Sequence, residues 1–93
     1  MDKYKNKIHK KPLKRLIVLH KKKVVQLHNL NKMLLIKKEY GLLKHDNEIE
    51  IRIEAVRNKV NILYDLCEDK AAEQRCDYIY THYFNIYPRI ILK

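Results

Sequence analysis

Ten cations stand among the first twenty-three residues: Lys3, Lys5, Lys7, Lys10, Lys11, Lys14, Arg15, Lys21, Lys22 and Lys23, with Lys32 continuing the series. Such a series suits neutralisation of a polyanion, because each ammonium that meets a nucleic-acid phosphate releases counterions and contributes salt-sensitive, largely sequence-independent affinity. Lysine delivers point charge, whereas the planar fork of arginine is the group that reads guanine edges. With sixteen Lys and five Arg, the expectation is phosphate positioning rather than base reading. RNA is the expected polyanion, and DNA is not excluded, since lysine–phosphate contacts do not separate the two.

The other chemistry-bearing residues form no such pattern. Cys67 and Cys76 are nine apart and His20 and His28 eight apart, so no CxxC or HxxxH pair nucleates a metal site. Neither a glycine-rich phosphate loop nor a nucleophile spaced beside a base is present. The reading is a protein that is not an enzyme, with no metal, cofactor or small-molecule substrate. His20 and Asn31 fall within an apolar seam, where polar residues more often set register than bind a ligand.

Five aromatic rings lie in ten residues: Tyr78, Tyr80, Tyr83, Phe84 and Tyr87. Base-stacking surfaces interleave rings with Lys or Arg, but this stretch has Asp77 and His82 instead. Part of the cluster is therefore assigned to the core. The remainder, Tyr78, Tyr80, Phe84 and Tyr87 together with Ile90, Ile91 and Leu92, is assigned to a patch for a partner protein, since tyrosine buries area while its hydroxyl stays satisfied.

Charge is divided unevenly along the 93 residues. Residues 1 to 45 carry fourteen basic and two acidic side chains, a net +12; residues 46 to 93 carry seven and nine, a net −2. An A/T-biased genome would raise the lysine count, yet it would not place the excess in one half. The two cysteines make no disulfide framework. The opening MDKYKNKIHKKP resembles neither a secretory leader nor a mitochondrial presequence. The expected setting is therefore intracellular and reducing, cytoplasmic rather than organellar. The longest apolar runs, LIVL and MLLI, fall far short of the roughly 20 residues of a membrane span.

One glycine and two prolines favour helices, and the periodicity agrees. Leu13, Ile17, His20, Val24, Leu27, Asn31 and Leu34 alternate in steps of four and three, widened by Leu16, Leu30 and Leu35, which predicts a helix over 13–39 that Gly41 ends in a left-handed cap. Asn47 and Glu50 resemble a capping box, and Ile49, Ile53, Val56, Val60, Leu63 and Cys67 predict a second helix over 47–67. The apolar phase then slips, around CEDK (residues 67–70), to Ala72, Cys76, Ile79 and Tyr83, which implies either a turn into a third helix or a stutter in one long helix; the expectation taken is a third helix over 69–84, ended by Pro88. The expected fold is all-α: an antiparallel helical hairpin with a third C-terminal helix (helical domain, residues 13–87), a flexible basic arm over residues 1–12 with no apolar face, and an extended apolar tail over residues 88–93.

IEAVRNKVNIL followed by EQRCDYIYTHY resembles the helical hairpin of the small aspartyl-phosphate phosphatases that regulate sporulation. Gln74 and Asp77 match the Gln and Asp of that family's SQxLD motif, while Glu73 and Cys76 stand in place of its Ser and Leu. The resemblance implies a phosphatase of response regulators with Asp77 as a key residue, and it covers about a third of the chain. The charge pattern leads to a different expectation: a ribosome-like structural subunit of a ribonucleoprotein, with its N-terminal half on RNA phosphates and its C-terminal half on a neighbouring protein. The alternative is a helical adaptor or assembly subunit that binds protein alone.

Overall fold

Pro12, with φ −66° and ψ 158°, turns the chain into the longest helix. It caps that helix from outside rather than occupying the first turn, and its carbonyl accepts the Arg15 and Leu16 N–H groups at 3.0 Å each. The computed structural model describes residues 3–41 and 48–90, and among these the protein is all helical. α1 is Lys3–Ile8, α2 is Leu13–Glu39 and α3 is Glu48–Glu73; a π-helical turn, Ile79–Tyr83, then runs into α4, Phe84–Ile86. The capping pair Asn47–Glu50 and the tail residues Ile91 and Leu92 lie partly or wholly outside the described residues. So does the side chain of Lys3.

α2 and α3 form the main packed pair. Leu13 and Leu16, at the start of α2, share one apolar cluster with Leu63, Leu66, Cys67 and Ala71, at the end of α3. Leu27 and Leu30, further along α2, share another with Ile49, Ile53, Val56 and Val60. Every apolar residue expected in the second seam is buried. In the first seam Leu13, Leu16, Leu27 and Leu30 are buried and Ile17, Val24 and Leu34 half-buried, while Leu35 is 66% exposed, because successive steps of about 100° carry it beyond the face that meets α3. The dipoles of both helices are complemented: Glu48 and Glu50 lie in the first turn of α3, and Lys37 and Lys38 in the last turn of α2.

Gly41 has φ +66°, and its N–H donates to the Lys38 carbonyl at 3.1 Å, as expected of the left-handed residue after a helix. α3, by contrast, does not end at CEDK. Ala71 follows Cys67 by four residues and is buried, whereas Ala72 is exposed, so the seam keeps its phase and the helix continues to Glu73. The break comes at 74–76. There Cys76 N–H donates to Ala71 carbonyl at 2.9 Å and Arg75 N–H to Ala72 carbonyl at 3.2 Å, the paired bonds of a Schellman cap. Its left-handed position is held by Arg75, φ +52°, instead of glycine. The expected third helix over 69–84 is thus corrected to a shorter helical segment that starts after this cap.

The expected flexible arm is also corrected. Tyr4 and Ile8 lie one helical turn apart in α1; Ile8 is buried in the first cluster and Tyr4 packs against it. Two apolar residues at this spacing supply the face that alternating lysines conceal. The Lys59 ammonium also stands 5.3 Å from the Tyr4 ring centroid, within cation–π range.

Asn61, buried on α3, fastens the end of the chain: its Nδ2 donates to the Ile90 carbonyl at 2.9 Å, and Ile90 N–H donates to its Oδ1 at 3.0 Å. Removing both bonds at a buried site, as in Asn61→Ala, is expected to cost about 1–3 kcal/mol in urea unfolding and to accelerate hydrogen exchange at the Ile90 amide. Arg75→Gly is expected to raise stability by up to about 1 kcal/mol, since glycine meets no Cβ penalty in the left-handed region; a loss of stability would show that the Arg75 side chain outweighs that strain.

Candidate nucleic-acid interface

With one face of α2 committed to α3, the opposite face is left to solvent, and the lysines occupy it. Lys14, Arg15, Lys21, Lys22 and Lys32 are exposed on α2, as are Lys5, Lys7 and Lys10 in and after α1. From Lys3 to Lys38 the sequence contains no carboxylate side chain. The exposed cations therefore form a band along the outer face of α2, with further exposed lysines on and just after α1, a helix that packs against α3. Lys11 is half-buried. Lys23 departs from the band: it donates to Gln26 Oε1 at 3.1 Å, and its pKa is lowered by partial burial and then by the like charge of Lys59.

The outer face of α2 is not purely cationic. Val18, Val25 and Ile36 run between the two rows of cations, and all three are exposed, as are Met33 and Tyr40. This apolar line is absent from the sequence-based reading, although steps of seven and eleven residues carry its signal. The tyrosine-rich segment divides more sharply than expected. Tyr78 and Tyr80 are exposed, Tyr87 and Ile90 are half-buried, and Phe84 is buried, with its ring stacked on Tyr64 at 4.0 Å. Phe84 is thereby removed from the partner patch. Tyr80 covers Phe84 edge-on at 5.9 Å and donates its hydroxyl to the Glu68 carbonyl at 3.0 Å. The π-helical turn explains how neighbours in sequence both reach the core. Phe84 N–H reaches back five residues to the Ile79 carbonyl, and the extra residue in the turn lets Tyr83 and Phe84 settle on the same side.

Tyr83 meets His20, the fully buried polar residue of α2. A 2.5 Å hydrogen bond joins the Tyr83 hydroxyl and His20 Nδ1, while Nε2 has no hydrogen-bond partner among the described residues. Rings of Tyr64, Tyr83 and Tyr87 surround the imidazole at centroid distances of 6.4, 5.5 and 6.1 Å. Burial pushes the His20 pKa down to about 4 and the Cys67 thiol up to about 12, so both are neutral packing groups near pH 7. The Tyr83 hydroxyl is raised as well, chiefly by burial. His20 therefore fixes where the C-terminal segment sits, as a polar seam residue should.

Gln74 and Asp77, the positions shared with the phosphatase motif, fall on opposite sides of the break at Arg75 rather than along one continuous helix. Among the described residues, His, Cys, Asp and Glu gather nowhere in threes as a metal site would require, and no helix is long and apolar enough to cross a membrane.

His20 links stability to pH. In the unfolded chain its pKa is near 6.5, so as pH falls below that value the unfolded state binds a proton that the folded state refuses until about pH 4. Stability is lost across this window, by at most about 3 kcal/mol. His20→Phe is expected to lose less stability between pH 7 and pH 4.5 in urea titrations than the natural protein, whereas equal losses would assign the effect to another group. Comparison with known proteins gives no matching protein family, no similar curated protein and no similar solved structure.

Proposed function

We propose that the protein is a small basic structural subunit of a ribonucleoprotein, ribosome-like in character, which lays α1 and the outer face of α2 against RNA phosphates. The observation that carries this reading is the exposed cationic band, drawn from a stretch of chain with no carboxylate between Lys3 and Lys38. Like charges held side by side on a helix repel one another, and a polyanion turns that cost into affinity through counterion release. In this proposal the antiparallel hairpin of α2 and α3, with its third helical element and extended tail, is the scaffold. The exposed Tyr80, with half-buried Tyr87 and the tail from Ile90, faces a neighbouring protein in a reducing, intracellular, cytoplasmic assembly, while Tyr78 stays open to solvent. No catalytic step, metal or cofactor enters.

A second reading rests on Val18, Val25, Met33 and Ile36, whose exposure suits an adaptor that docks protein along α2. Salt separates the two. Because Ile8 belongs to the core, the test neutralises charge instead of deleting residues 1–12: Lys7, Lys10, Lys14 and Lys22 are changed to Gln in the full chain. Binding to a mixed single-stranded RNA is then followed across a salt series. Each lost phosphate contact is expected to reduce the slope of log affinity against log salt by about 0.7, and unchanged slopes would overturn the band as the RNA-binding surface. An absence of RNA binding even at low salt would favour the adaptor.

A further inference from the structure

We propose that the groove between the start of α2 and the turn after α3 receives a single unstacked nucleotide of a single-stranded RNA. This inference rests on the ribonucleoprotein reading and assigns that surface a preference for single strands.

The groove has a volume of about 380 Å³, towards the lower end of the ~300–1,000 Å³ typical of small-ligand clefts. One wall is α2, with Lys14, Ile17 and Lys21; the other comprises Gln74, Cys76, Tyr78, Ile79 and Tyr83. Its lining is thus apolar and aromatic, with two cations on one side and a carboxamide on the other. A guest complementary to it is planar, aromatic and anionic at one edge.

The chemistry also orients that guest. Tyr78 is 63% exposed, and one face of its ring is backed by His82, parallel to within 11° at 4.7 Å. A base can stack on the ring while His82 holds the orientation. The Lys21 ammonium is stationed 5.6 Å from the Tyr83 ring centroid, at the edge of the groove. Lys14 lies two turns earlier on the same line of α2, about 10 Å along the axis. Glu73 and Asp77 flank the far wall in sequence, so the phosphates belong on the α2 side and the base on the tyrosine side. Gln74 offers both a donor and an acceptor to a base edge. The groove opens from the cationic band through Lys14 and Lys21, which makes a strand already held by that band its natural source.

The ring-and-lysine alternation missing from the C-terminal stretch is therefore supplied across the fold, with rings from one segment and lysines from another. Single strands present unstacked bases to such platforms, whereas a duplex must first surrender a paired and stacked one.

The test compares a twelve-nucleotide single-stranded RNA with an RNA duplex of the same length, using the full chain and its Tyr78→Leu and Tyr78→Phe variants. Because Tyr78 is exposed, unchanged thermal unfolding is expected in both. Tyr78→Leu should weaken single-strand binding about 5- to 100-fold, the range of base–aromatic stacking, while leaving duplex binding and its salt slope as they were. Tyr78→Phe should retain single-strand affinity. A second readout is alkylation of Cys76, which lines the groove: single-stranded RNA should slow it more than the duplex does, with buried Cys67 unreactive throughout.

Equal weakening of both RNAs, or none, would overturn the groove assignment while salt-dependent binding kept the cationic band in place. Uridine monophosphate binding as tightly as the oligonucleotide would overturn a strand as the source. Failure of the natural protein to bind any RNA at low salt would sink the inference and the reading beneath it together.

Discussion

A neutral imidazole in the middle of a helix–helix seam imposes the condition that the rest of this fold meets. Two amphipathic helices can bury the apolar flank of His20, but neither α2 nor α3 is seen to satisfy its ring nitrogens, and an unpaired polar group in an apolar interior is costly. The chain answers by returning over the seam after α3 and bringing the Tyr83 hydroxyl to Nδ1. Several local features serve that return. The Schellman cap at Arg75 reverses the chain without glycine, the π-helical turn aims both Tyr83 and Phe84 inward, and the Asn61–Ile90 pair fixes the far end. In so short a chain, with limited surface to bury, this third layer converts a pair of helices into an enclosed core.

The surface follows from the same geometry. α2 must turn its leucines and His20 towards α3 and the C-terminal segment, and the lysines interspersed among them can only face outward. α1 adds exposed cations of its own: Tyr4 and Ile8 pin it to the core, and Lys5 and Lys7 remain exposed. Charge and core are therefore coupled: a lysine's place on the band is set by which of its neighbours is buried. Lys23 illustrates this from the other side. Its position next to the seam brings it near Lys59 and Gln26 and away from the outer row.

Much of this was legible in the residues. The four-and-three spacing from Leu13 located α2 to both ends, and Gly41 marked its cap, because a long seam with one glycine leaves few other solutions. The second seam identified the face of α3, but the end of the helix was misplaced: the slip to Ala72 is weaker evidence than the continuity from Cys67 to Ala71, and a cap built on Arg75 carries no compositional sign. Residues 1–12 resemble a solvated arm, as lysine outnumbers everything there, and only a tertiary contact reveals Ile8 as a core residue. Of the candidate site, the cations on α2 were legible from their side of the helix. The burial of Phe84 and the meeting of Lys14 and Lys21 with Tyr78 were not, since they depend on how the chain returns after residue 73.

The two fastenings of the C-terminal segment lie on different helices, His20 on α2 and Asn61 on α3, and both close on residues that follow α3 in the chain. A pairing of α2 and α3 that precedes the docking of Tyr83 and Ile90 leaves both fastenings open. During that interval His20 is without its hydroxyl partner and its roof of rings, and it titrates nearer its ordinary value. The core is therefore completed by the segment after α3, and a pair of helices without that segment would present a hydrated, protonatable seam. The finished protein hides that seam entirely.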